Sequence, residues 1–451
     1  MSCCWLMLAG LCLISPAWAK PLRVSTFRVD ATPPLGSPLC DAAVAPAERV
    51  DDPLTVRGVV LVGDEAPIVL CAVDWVGIAN GGYDAWREAL ARAAGTSVDR
   101  VAVHALHQHD APGCDFEAEA LLAERGLSGA MFDVAFARAT IERAATAAHQ
   151  SLDKLEEANQ VGLGTAKVDR VASNRRVLGA DGKVQYVRYS ANTIPEATAA
   201  PEGVIDPAVR LLSFWHDERP LVVLSYYATH PMSYYGKGGV SWDFAGIARA
   251  EREAALPGIP HIYFNGAAGN VTAGKYNDGA AANRAALAGR LAQGMAAAWS
   301  HTQRSPISGQ DLIWKTLDVK LPLSAGLVDE TPLIRLLANP SAKVRDRVRA
   351  ASDLAWARRV KAGHAIQLSL LGIGPARVLH LPGELFVEYQ LAAAAMKPDA
   401  TVCTAAYGDY GPGYIGTEIA YSQGGYETGY VSRTAPQVEK VLLDGIKQLL
   451  K

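Results

Sequence analysis

The stretch VAVHALHQHDAPGCD, residues 101 to 115, decides how the rest of the chain is read. Its apolar start, Val101-Ala102-Val103, is the pattern of a buried strand. The strand gives way to loop at His104, His107 and His109, followed by Asp110, Pro112 and Gly113. Three of the ten histidines thus fall within six positions, ahead of a Pro-Gly turn that is expected to expose them. In an extended segment residues i and i+2 point to one side. His107 and His109 are therefore expected on one side, one able to bind a metal while the other faces what sits on it. A polar loop whose imidazoles bond to the backbone is the alternative, because histidine serves both purposes. This stretch alone leaves the two open.

Other strand ends carry similar chemistry. His230 closes LVVLSYYATH and precedes Pro231. Asp243 stands at a helix start, where capping alone accounts for it. In YFNGAAGNVT, residues 263 to 272, a strand breaks into small residues that permit close backbone approach to a ligand. Glu384 follows His380-Leu381-Pro382-Gly383, and Tyr414 and Tyr426 lie in a Gly-rich, tyrosine-rich segment. Singly, each is what strand ends and turns use anyway. Jointly, two histidines, a glutamate and a tyrosine can supply N and O ligands to zinc with a position open for water.

Around these motifs, strands and helices alternate without a low-complexity linker. Runs near 24–30, 59–62 and 68–73 read as strands, the last two as a hairpin. A helix over 83–94 stops at Gly95, and another covers 132–152. After a strand at 161–168 and a polar, irregular segment, 210–215 and 221–227 flank a turn at 216–220. Helices are expected at 242–256, 280–300, 340–362, 384–396 and 436–450, and late strands at 367–371 and 377–381. The fold class is α/β: one large domain, 20–451, of mixed β-sheets (two are expected) flanked by helices, with 322–365 as a helical insertion.

Composition narrows the function. A net charge of −3 and the absence of basic runs with interleaved aromatics exclude an evident nucleic-acid surface. Residues 1–19 hold a short apolar core, a proline and Ala17-Trp18-Ala19, the pattern of a cleaved signal peptide. The mature chain is therefore expected from Lys20, secreted or periplasmic. No later run is apolar for long enough to span a bilayer. Cys71 and Cys403 sit in strand-like apolar runs as small core residues. Cys40 and Cys114 lie in loops, where export would permit a disulfide. No C-x-x-C pair offers a thiolate zinc site.

In order and wording these motifs resemble the catalytic domain of the neutral (non-lysosomal) ceramidases, zinc-dependent amide hydrolases. Val29-Asp30-Ala31-Thr32-Pro33-Pro34 resembles the family's V-D-I-T-P-P opening, and His107-Gln108-His109-Asp110-Ala111-Pro112-Gly113 its H-T-H-S-G-P-G signature. Ser173-Asn174-Arg175-Arg176 is similar to its I-N-R-S segment, and Ala228-Thr229-His230-Pro231 to its second histidine motif. Pro382-Gly383-Glu384 matches its P-G-E, and Tyr414 with Tyr426 its two C-terminal tyrosines. The resemblance covers nearly the whole mature chain. It implies zinc held by His107, His230, Glu384 and Tyr414, with His109, Arg175 and Tyr426 facing the substrate. It implies hydrolysis of an amide by zinc-activated water. His109 would move a proton to the leaving amine, and Arg175 and Tyr426 would donate to the oxyanion.

Two departures qualify the expectation. The family's G-D-V-S-P loop, with its active-site serine, stands here as Gly269-Asn270-Val271-Thr272-Ala273, which keeps a hydroxyl only as Thr272. The chain also ends after the last helix, without the β-sandwich domain of the ceramidases themselves. The expected function is a secreted zinc amidase acting on a small-molecule or lipid amide such as ceramide. Hydrolysis of an ester or smaller amide, and a metal-containing binding protein without turnover, are the alternatives.

Overall fold

The computed structural model describes residues 20–451; the leader expected at 1–19 lies outside them. Three mixed sheets, rather than the expected two, organise the described chain. Each contains the same unit: an antiparallel hairpin, a helix, and a strand returning parallel to the hairpin's second strand. In the first, Thr55–Val62 and Ile68–Val73 form the hairpin, Asn80–Ala94 the helix and Val101–Ala105 the parallel strand. In the second the parts are Ala208–His216, Arg219–Tyr227, Asp243–Ala255 and His261–Asn265. In the third they are Ile366–Ile373, Ala376–His380, Val387–Met396 and Thr401–Ala405. A further antiparallel strand flanks each hairpin: Leu22–Asp30, Gln160–Lys167 and Leu312–Val319.

The three sheets face one another across a shared apolar core. Val59, Leu70 and Ala102 of the first meet Leu224 and Phe264 of the second and Leu371 and Cys403 of the third. Burying a side chain such as Leu70 or Phe264 contributes roughly 1.5–3 kcal/mol. Beyond the strand ends, backbone bonds lace the units together. The Ala105 amide donates to the Tyr407 carbonyl and the Ala406 amide to Asn265, each at 2.9 Å. His104 is part of this junction: its Nε2 lies 2.9 Å from Nδ1 of His380, both rings buried. The loops after the parallel strands are thus held at one place, where ligands gather in α/β sheets.

Local chemistry explains where elements differ from expectation. The turn between 208–216 and 219–227 is only Asp217-Glu218, with Asp217 in the left-handed region (φ 52°); Pro220 lies inside the strand at a register shift. Glu384 does not begin a helix. It pairs with Tyr414 in a two-residue parallel bridge, and the helix starts at Val387. The hairpin of the third sheet lies where strands are expected, at 367–371 and 377–381, whereas its flanking strand Leu312–Val319 is masked by a face that stays largely exposed. Within 322–365 lie helices Thr331–Ala338 and Val344–Lys361. No described helix is long and apolar enough to cross a membrane. All four described cysteines are free thiols, Cys40 and Cys114 included, so the disulfide that export would permit is not formed.

Candidate metal centre

The histidine loop is neither extended nor exposed. Strand Val101–Ala105 ends before it, and His107 takes φ 72°, a left-handed conformation unusual for a residue with a Cβ. Its amide donates to the Trp75 carbonyl at 2.9 Å, turning the imidazole inward, and the residue is 1% exposed. Nδ1 lies 2.6 Å from the Val76 carbonyl. A carbonyl can only accept, so Nδ1 carries a proton and Nε2 is the ring atom turned into the site. His230 repeats this arrangement: Nδ1 donates to the Ala268 carbonyl at 2.5 Å, and Nε2 points the other way.

Both Nε2 atoms meet Glu384. Its Oε2 lies 2.8 Å from Nε2 of His230 and 3.2 Å from Nε2 of His107. The His107 contact is not aligned as a hydrogen bond, and that buried Nε2 has no partner. All three side chains are buried, with ligand atoms within 4.8 Å of one another. Burial, with help from Arg175, lowers His230 to about 4. A neutral imidazole lone pair and a carboxylate oxygen do not bond to each other. They do both bond to a cation, so the donor set fits a divalent metal with N and O ligands.

Tyr414 stands beside this cluster because its strand pairs with that of Glu384. Its hydroxyl is 3.3 Å from His230 Nε2 and 3.3 Å from the Tyr426 hydroxyl, and it accepts from Arg175 Nη1 at 3.1 Å. Arg175 is 1% exposed, yet its Nε and Nη2 have no partner among the described residues. An unpaired buried donor is costly, so these two N–H groups suit an incoming acceptor. His109 also keeps a buried Nε2 without a partner. Its ring packs edge-on to His107 at 5.1 Å, and burial drives it toward the neutral form.

The small-residue loop serves the scaffold. A Cβ on Gly269 would collide with the Glu384 carbonyl, so only glycine permits that approach. The Asn270 carbonyl accepts from the Arg175 amide and its side chain accepts from the Val387 amide, both at 2.8 Å, which joins the arginine and glutamate segments. Thr272 pairs with Ser173 in a short antiparallel bridge. Its hydroxyl has one long contact, 3.5 Å to the Tyr189 carbonyl, and none to the cluster.

Two tyrosines went unrecognised in the sequence. Tyr410 donates its hydroxyl to Oε1 of Glu384. The Tyr407 ring stacks on His107 at 4.5 Å, with its hydroxyl 3.5 Å from His230 Nδ1. Both belong to YGDYGPGY, residues 407 to 414, where the spacing of three tyrosines among glycines was the available signal.

No family model and no curated protein matches the sequence. Among solved structures, the chain is similar to a ceramidase complexed with C2, with a TM-score of 0.70 at 15% identity over 96% of this chain and 75% of that one. It is likewise similar to neutral ceramidase from Pseudomonas aeruginosa, with a TM-score of 0.70 at 16% identity, covering 95% and 74%. The chain has the ceramidase-like fold.

Proposed function

We propose that this chain is an exported, zinc-dependent amide hydrolase. One observation carries the reading: the Nε2 atoms of two buried imidazoles, each with Nδ1 on a backbone carbonyl, converge on one oxygen of a buried carboxylate. His107, His230 and Glu384 would hold the ion, with Tyr414 as a fourth ligand. When bound, zinc supplies Lewis-acid polarisation of a carbonyl and acidifies water.

The chain's own groups are arranged around that point for acyl chemistry. Arg175 offers two unpaired N–H donors to a developing oxyanion. Tyr426, linked to Tyr414 at 3.3 Å, is a second donor at the same rim. His109 presents a buried ring nitrogen without a partner among the described residues, which places it to carry a proton to a leaving amine. Thr272 would only orient substrate or water through one hydrogen bond, with attack left to water rather than to its hydroxyl. The fold likeness to ceramidases supports an acyl-amide substrate class, N-acyl lipids among them.

The test is release of free acid from a panel of N-acyl amides and matched esters by the zinc-loaded protein. Amide cleavage is expected. Cleavage of esters alone would establish the esterase alternative, and zinc binding without turnover a binding protein.

A further inference from the structure

A cavity of about 410 Å³ ends against Tyr410 and Tyr414, the tyrosines beside Glu384 and His230. Its opposite wall is the first turns of helix Val344–Lys361, which contribute Arg345 and Arg349, and Arg433 closes one side. Ligand cavities of this size are usually walled by apolar side chains. Here the only aliphatic ones are Ala43, Val348 and Val431.

Charge on the wall is unevenly committed. Arg433 is engaged, donating to Asp353 at 2.6 Å and to the Gly411 carbonyl at 3.0 Å. Arg345 lies 3.9 Å from Asp346 at an exposed position, where such a pair is weak. Asp41 is the other carboxyl on the wall, and burial raises it to about 6. Arg349 has no carboxylate partner among the described residues. Its guanidinium lies 5.3 Å from the centre of the Tyr430 ring, which is 65% exposed. An arginine fixed over an aromatic face offers its N–H fork to a carboxylate or phosphate. The positive end of the helix dipole adds in the same direction.

We propose that the substrate is an acidic amide, an N-acylated amino acid being the simplest, whose acidic group is received in this cavity by Arg349 with Arg345. This rests on the amidase reading above and names the substrate class for the same site. Hydrolysis of such a compound adds water across the C–N bond. The acyl carbon gains the hydroxyl, the nitrogen gains the proton, and a free amino acid leaves with no redox partner.

The experiment compares N-lauroylglycine with N-lauroylethanolamine on the zinc-loaded mature protein. The two differ in a carboxylate against a hydroxymethyl group. The glycine conjugate is expected to be favoured by about tenfold or more in kcat/KM, mainly through KM. That ratio should fall toward one in Arg349→Gln and further in the Arg345→Gln/Arg349→Gln pair, with zinc content retained. Both arginines are exposed, so folding should survive, and circular dichroism checks this. Equal or preferred cleavage of the ethanolamide, or a ratio unchanged in the double variant, overturns the substrate class and leaves the amidase standing. No cleavage of either compound, or of any amide in the wider panel, overturns both.

Discussion

Oε2 of Glu384 lies 2.8 Å from Nε2 of His230, and the His230 proton is on the far nitrogen, donated to the Ala268 carbonyl. Two electron-rich atoms are therefore pressed together in a buried site, and His107 brings a third. A bound cation would satisfy all three. The predictions below follow from how the chain supports that point and what surrounds it.

Tyr410 holds the other oxygen of Glu384. Hydrogen bonds to a ligating carboxylate orient it, and losing one typically costs about 10–100-fold in metal affinity. Tyr410→Phe should weaken zinc binding by that order in a chelator competition titration. An unchanged affinity would show that the backbone bridge with Tyr414 suffices to place Glu384.

Arg175→Ala and Tyr426→Phe should each lower the turnover number by about a hundredfold, the usual loss for one oxyanion donor. Zinc content should stay at the wild-type level in both. Activity near wild type in either variant would remove that residue from the developing charge.

Thr272 is the sharpest departure from the ceramidase motif, and its hydroxyl touches only the Tyr189 carbonyl at 3.5 Å. Thr272→Val should keep measurable turnover, losing roughly 1–3 kcal/mol at most, the value of one buried polar contact. Complete loss with zinc still bound, or a covalent acyl adduct on Thr272 in the wild type, would make it the nucleophile instead.

Asp74 forms a buried bidentate pair with Arg249, at 2.7 and 2.8 Å, beneath the histidine loop. Burial pushes Asp74 up, but Arg249 more than offsets it, so its folded pKa is depressed. The stabilisation is then present above the unfolded value of about 3.9, and it is lost as pH falls through the lower folded value. Asp74→Asn should cost about 3–5 kcal/mol near neutral pH, read as a lower urea midpoint. The gap to wild type should narrow in acid. A midpoint equal to wild type at pH 7 would show that the pair contributes nothing.

Much of this was legible in the sequence because the candidate ligands sit at strand ends marked by Pro or Gly, as with His230-Pro231 and Gly383-Glu384. Hydrophobic runs located those strand ends well, and Gly95 (φ 65°) ended its helix as a left-handed cap. What was not legible depends on backbone geometry that pattern does not encode. The inward turn of His107 comes from one positive φ and a bond to the Trp75 carbonyl. The pairing of Glu384 with Tyr414 joins segments thirty residues apart through a two-residue bridge too short to leave a periodic signal. Tyr410 was passed over because a tyrosine among glycines reads equally well as a loop residue, and only the fold aims its hydroxyl at Glu384.

The most direct test of the metal centre is elemental analysis of the purified mature protein beside His107→Ala and His230→Ala, after equilibration with zinc and removal of the excess. The account predicts about one zinc per chain in the wild type and near-empty sites in both folded variants. Full occupancy in both variants, or no bound zinc in the wild type, would contradict it.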